Sequence, residues 1–229
     1  MRGFYVALVA FSLWTSPLPA QQPKGADEPA RFSPVKVISV ADVTYPISSG
    51  VFATVVLEAR VDPAGKTEDV KVIRGYKSLT PVAIASIKSW TFEPATLDGK
   101  PTDSTMRVAV TFYPPTLFAT DVPLPPLRER GDKRKPQFRY QPPQVVAASF
   151  PKWPTTCIVY GTVALEVTIN EAGTVAGGVR ILHDIPPLTA EAIHAIKDWK
   201  FTSATFDGEP ITSRMVLAFV FTLPHNNRR

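Results

Sequence analysis

The chain repeats itself, and that limits its fold more than any other property. At an offset of 109 residues, Leu79-Thr80 falls on Leu188-Thr189, Ile87-Lys88 on Ile196-Lys197, Trp90 on Trp199 and Phe92 on Phe201. The same offset lays Asp98-Gly99 on Asp207-Gly208, Pro101 on Pro210, Met106 on Met215 and Phe112 on Phe221. Upstream the offset is 108, pairing Leu57-Glu58 with Leu165-Glu166 and Gly65 with Gly173, and then 105, pairing Tyr45-Pro46 with Phe150-Pro151. Offsets that change only in turn-like places are the mark of a duplicated unit that has taken loop insertions.

Each copy has the same physical reading. Val55, Leu57, Ala59 and Val61 alternate with Thr54, Val56, Glu58 and Arg60, and Val163, Leu165, Val167 and Ile169 do the same. A period of two predicts a strand with one buried face. Asp62-Pro63-Ala64-Gly65 and Asn170-Glu171-Ala172-Gly173 are turn sequences, so the strands Val70 to Ile73 and Val179 to Leu182 return as hairpins. Gly177-Gly178 is expected to absorb a bulge in the second copy.

A helix follows in each copy, with Thr80 or Thr189 as the expected cap and Pro81 at the first helical position of copy one. Ala83, Ile84, Ile87 and Trp90 line its buried face, repeated as Ala192, Ile193, Ile196 and Trp199. The two tryptophans are therefore core residues. A last strand carries Met106, Val108, Val110 and Phe112, matched by Met215, Leu217, Phe219 and Phe221. The expected fold class is α+β: two tandem strand–strand–helix–strand domains, each a three-stranded antiparallel sheet with one helix packed on one face.

The expected domains are a signal peptide at 1–20, an arm at 21–34, domain 1 at 35–113, a linker at 114–144, domain 2 at 145–223 and a tail at 224–229. The signal rests on Met1-Arg2-Gly3, an apolar run from Phe4 to Trp14 and a small-residue exit at Ala20. That run is shorter than the ~20 residues that span a bilayer. Proline is abundant, 24 of 229 residues, and eight of these lie in the linker beside the basic run Arg128 to Lys135. Such a linker is stiffened toward polyproline II. It reads as a solvated spacer, or as one whose basic run touches anionic lipid or cell wall.

One cysteine, Cys157, excludes an intrachain disulfide and reads as a small buried residue. No Gly-x-Ser-x-Gly elbow, phosphate-cradling loop or His-Glu-x-x-His is present, so neither an enzyme nor a cofactor or metal site is expected. Asp98 and Asp207 read as turn residues before glycine, and His183-Asp184 as part of a loop. The basic run has few interleaved aromatics, so nucleic acid is not an expected partner.

Taken in order, Tyr45-Pro46, Gly65, Trp90-Thr91-Phe92-Glu93-Pro94-Ala95, Asp98-Gly99-Lys100-Pro101 and Phe112 resemble the C-terminal domain of TonB. The second copy repeats the pattern with Phe150-Pro151, Gly173, Trp199-Lys200-Phe201, Ala204, Asp207-Gly208-Glu209-Pro210 and Phe221. It departs in having Phe150 for tyrosine and Ser203 for the proline. The resemblance implies a periplasmic protein-binding module that takes an extended segment of an outer-membrane receptor as an added strand at a sheet edge. In a sheet ordered second–first–third strand, that edge is the last strand. The implied binding residues are Arg107, Val108, Ala109, Val110 and Thr111, and Arg214, Met215, Val216, Leu217, Ala218, Phe219 and Val220.

The expected partner is an outer-membrane receptor or another envelope protein, met by an exported periplasmic chain. If residues 4 to 20 are not cleaved, the alternative is an inner-membrane-anchored transducer; a structural module binding peptidoglycan is another. The last strand of copy two is apolar on both faces, with Val216, Ala218 and Val220 opposite Met215, Leu217 and Phe219. Either something covers that second face, through domain pairing or self-association of domain 2, or it is a surplus of β-formers.

Overall fold

A computed structural model describes residues 31–46, 49, 53–113, 139–152, 154 and 159–222. The signal segment, the basic run, Cys157 and the tail lie outside them. The chain divides into Met1–Ala30 and Arg31–Arg229, and everything described belongs to the second unit. Copy one runs β1 (Phe32–Ser33), β2 (Lys36–Ser39), β3 (Ala53–Val61), β4 (Thr67–Arg74), α1 (Thr80–Lys88), β5 (Thr91–Glu93), β6 (Ala95–Leu97), β7 (Lys100–Thr102) and β8 (Ser104–Tyr113). Copy two runs β9 (Tyr140–Gln141), β10 (Val145–Ala147), β11 (Gly161–Ile169), β12 (Arg180–His183), α2 (Leu188–Ile196), β13 (Lys200–Phe201), β14 (Ala204–Phe206), β15 (Glu209–Ile211) and β16 (Ser213–Phe221).

The class is α+β, strands with two helices, and each copy contributes three antiparallel strands in the order second–first–third. Two separate sheets, however, are not what forms. The last strands of the copies, β8 and β16, lie side by side in parallel from Val216↔Val108 to Phe221↔Tyr113. The result is one six-stranded sheet, β12-β11-β16-β8-β3-β4. Parallel strands need a long connection, and here every earlier element of copy two, from β9 to β15, lies between them in the chain.

Side chains alternate across a strand, so a sheet with apolar residues at both parities needs cover on both faces. One core gathers Val55, Leu57, Ala59 and Val61 with Ala83 and Ile87 of α1, and takes Val216, Ala218 and Val220 from the other copy. The opposite face gathers Val163, Leu165, Val167 and Ile169 with Ala192 and Ile196 of α2, and takes Val56, Ala109 and Tyr113 from copy one. The helices therefore cover opposite faces of the same sheet. The second apolar face of β16 is covered within the chain, by copy one.

Beside each helix, the lead-in segment of the same copy covers the rest of its face. Val35, Val37, Val43 and Tyr45 belong to the core that includes Val216, Ala218 and Val220. Val145 belongs to the other, with Ala148 and Phe150 packed on it. Trp90 and Trp199 are buried and tie helix ends to these segments. The Trp90 indole N–H donates to Ser86 Oγ at 3.1 Å, whose hydroxyl donates to the Ala41 carbonyl at 2.9 Å. The Trp199 indole donates directly to the Ser149 carbonyl at 3.0 Å.

The lead-ins are themselves part of the repeat. Phe32 pairs with Leu97 as Tyr140 pairs with Phe206, and Val37 pairs with Phe92 as Val145 pairs with Phe201. Tyr140-Gln141, which composition assigns to the linker, is thus a strand of copy two. The sequence signal is Arg31-Phe32-Ser33-Pro34 against Arg139-Tyr140-Gln141-Pro142 at an offset of 108.

Local chemistry explains the turns. Asp62 Oδ1 accepts the N–H groups of Ala64 and Lys66, and Asn170 Oδ1 accepts those of Ala172 and Thr174, so Asp and Asn serve equally. Asp98-Gly99 and Asp207-Gly208 all have positive φ, the turn that two-residue hairpins favour. Gly177-Gly178 falls between the lone bridge Ile169↔Val175 and β12, interrupting the returning strand. The threonine caps do not form: the Thr80 and Thr189 hydroxyls instead accept the N–H of Tyr76 at 2.8 Å and Ile185 at 2.9 Å, closing the loop before each helix.

Gly65 has φ +79°, and a Cβ there would stand 2.2 Å from the Phe92 carbonyl oxygen. Gly65→Ala is therefore expected to cost roughly 3 kcal/mol from backbone strain and clash together. Thermal unfolding should show a midpoint lower by roughly 5–12 °C; an unchanged midpoint would mean the turn simply moves aside.

Candidate functional site

The expected binding strands sit at the centre of the sheet. Val108 and Val110 face the core of copy one, and Ala109 faces that of copy two. Met215, Leu217 and Phe219 face the core of copy two, while Val216, Ala218 and Val220 face that of copy one. Thr111 is buried, its Oγ1 3.0 Å from Thr54 Oγ1. Arg107 is buried and donates to Glu58 at 2.9 Å. Arg214 lies at the rim, 3.8 Å from Glu166. The expectation that these are free edges is therefore corrected: from Val108 and from Val216 onward each strand pairs with the other, and Arg107, Arg214 and Met215 precede that pairing.

The strands that end the sheet are β4 and β12. β4 pairs with β3 from Val56↔Arg74 to Val61↔Thr67, with a register shift near each end, and carries Glu68, Asp69, Lys71 and Arg74. β12 is half as long and pairs with β11 through Ala164, Leu165 and Glu166.

Beside β12 lies a cluster of polar contacts between the two copies. The buried Glu166 carboxylate accepts from Arg180 Nε at 3.0 Å and Nη2 at 2.8 Å, and from the Val37 N–H at 3.3 Å. Arg180 also donates to the Val37 carbonyl. Its guanidinium pKa is raised, chiefly by the hydrogen bond to Glu166. Thr162 Oγ1 accepts the Val43 N–H at 3.0 Å and donates to the Val43 carbonyl at 3.3 Å. Side chains of copy two thus hold the main chain of copy one's lead-in. His183 completes the flank, 3.3 Å from Asp42 rather than paired with its neighbour Asp184.

At the outer end of the small sheets, Phe32 lies 4.7 Å from the Tyr140 ring and stacks at 4.9 Å on Phe206. The Arg139 guanidinium lies over the Phe206 ring at 4.7 Å and pairs with Asp207, whose carboxyl it holds below the usual range. The Tyr140 hydroxyl meets Ser213 Oγ at 2.5 Å, and burial pushes its pKa up to about 12. A raised pKa in the folded state means stability is intact below the ordinary tyrosine value near 10. It is then lost as pH climbs toward 12, by up to about 3 kcal/mol. Melting midpoints measured between pH 9 and 12 should fall, and fall less steeply for Tyr140→Phe; parallel curves for the two proteins would refute this assignment.

The family profile described as Gram-negative bacterial TonB protein C-terminal matches residues 44–114 and 159–223. One match lies in each copy, and together they span more than half of the chain. No curated protein matches it.

Proposed function

Because this chain belongs to the TonB C-terminal family, in two tandem repeats, we propose that it is an exported envelope protein that binds a segment of an outer-membrane receptor by strand addition. The family supplies the envelope setting and the protein-binding role. The observation that carries the reading further is that, among the described residues, the sheet ends in β4 and β12, each with one neighbouring strand, since strand addition takes place at a sheet edge. Periplasmic export is supported by the amino-terminal pattern of Met1-Arg2-Gly3, the apolar run from Phe4 to Trp14 and the small-residue exit at Ala20.

Two measurements test this reading. Protein recovered from the periplasm should begin at Gln21; an intact Met1 terminus in the membrane fraction would favour the anchored transducer instead. Immobilised full-length chain should retain outer-membrane receptors from solubilised envelopes. Retention of peptidoglycan without receptors would overturn the receptor reading in favour of a wall-binding module.

A further inference from the structure

We infer that the docking edge is β12, and that its occupant is an extended apolar segment of the receptor carrying carboxylates. This rests on the strand-addition reading and chooses between the sheet's two open edges. The copies have spent β8 and β16 on each other, so an added strand can only go to the outside.

The two outer edges differ in chemistry. On β4, four of eight residues are charged, Glu68 and Asp69 followed by Lys71 and Arg74. Charged side chains are a usual device that keeps an edge from pairing with other chains. β12 reads Arg180-Ile181-Leu182-His183. Ile181 is 46 % exposed, and on the same flank Tyr160 and Val159 are 62 % and 39 % exposed. Gly161, which follows Tyr160, lies against the side chain of Ile185 just beyond β12. Three of the six exposed large hydrophobic residues among those described lie on β12 or on the segment that leads into its neighbour β11, whereas β4 offers only Val72. Exposed apolar side chains at a sheet edge are a docking feature rather than a solubilising one.

Charge sets the partner's sign. Arg180 and Arg214 both meet the buried carboxylate of Glu166, on side chains that are 41 % and 36 % exposed, while Glu93 pairs with Lys36 and Asp42 lies against His183. An approaching segment with Asp or Glu would complete that cluster. With only four residues, β12 offers few backbone bonds, so these side-chain contacts must set the affinity.

The test uses the full chain and a receptor it retains from envelopes, so failure of receptor capture counts against the function proposed above, and the variants test the edge. Ile181→Asp and Tyr160→Ala should each weaken receptor affinity at least tenfold, while Val72→Asp on β4 changes it less than twofold. The amides of Arg180 to His183 should gain hydrogen-exchange protection on binding, a change that a merely structural role would not produce. Raising the salt concentration should weaken the complex. Full affinity in both Ile181→Asp and Tyr160→Ala, or a loss confined to Val72→Asp, overturns the assignment. Thermal melts confirm that each variant is folded before its affinity is read.

Discussion

Replacing Phe219 with alanine is expected to cost about 3–5 kcal/mol, the usual range for removing a fully buried phenyl ring. Phe219 belongs to copy two by sequence, and its ring meets Trp199 edge-on at 5.8 Å. Its neighbours Ala218 and Val220 point the other way, into the core of copy one. A strand that serves two cores cannot melt in one and remain in the other. Hydrogen exchange should therefore show β3 and β4 losing protection together with β11 and β12, in a single transition whatever the probe. Two resolved transitions, with copy one still protected, would mean that the copies are independent modules resting side by side.

Glu58→Ala should be nearly as costly, about 3–5 kcal/mol, because it strips the carboxylate from a buried guanidinium. Arg107 and Glu58 face each other across β8 and β3, on the face that copy two covers. A buried pair is not itself strongly stabilising, since both charges lose water. Replacing both residues with leucine should therefore recover most of the loss, which a double-mutant cycle in urea would measure. A single-variant cost below about 1 kcal/mol would show that water reaches the pair.

Glu166, at the equivalent position, behaves differently. It has no arginine directly opposite on β16, where Val216 stands, and turns instead to Arg180 and to the lead-in of copy one. Duplicated positions with the same residue have thus acquired different work. One carboxylate neutralises a charge inside the sheet, and the other fastens the lead-in while pairing with Arg180 on the edge strand. Periodicity could not reveal this, because the partners of Glu166 lie 14 and 129 residues away.

Much of the fold was legible in the residues themselves. Alternation marked the main strands, Asp-Gly and Asn-x-x-Gly marked the turns, and the Trp-x-Phe spacing marked the end of each helix. The apolar second face of β16 was the one local sign that something had to cover it. Its counterpart on β8 was obscured, because Arg107 and Thr111 look like a solvent-facing row until their partners Glu58 and Thr54 are in place. The lead-ins were missed although Arg-aromatic-x-Pro recurs, because their strands are only two to four residues long and take their regularity from the strands beside them.

The sequence by itself determined the unit: its strand order, its helix, its turns and the fact that it occurs twice. These follow from side-chain periodicity and turn chemistry, which act over a few residues. Only the tertiary structure decided how the units meet. Whether β8 and β16 end as free edges or pair with each other depends on register between strands more than a hundred residues apart, which no local pattern encodes. That pairing joins two small sheets into one, gives each core residues from the other copy, and leaves β4 and β12 as the open edges.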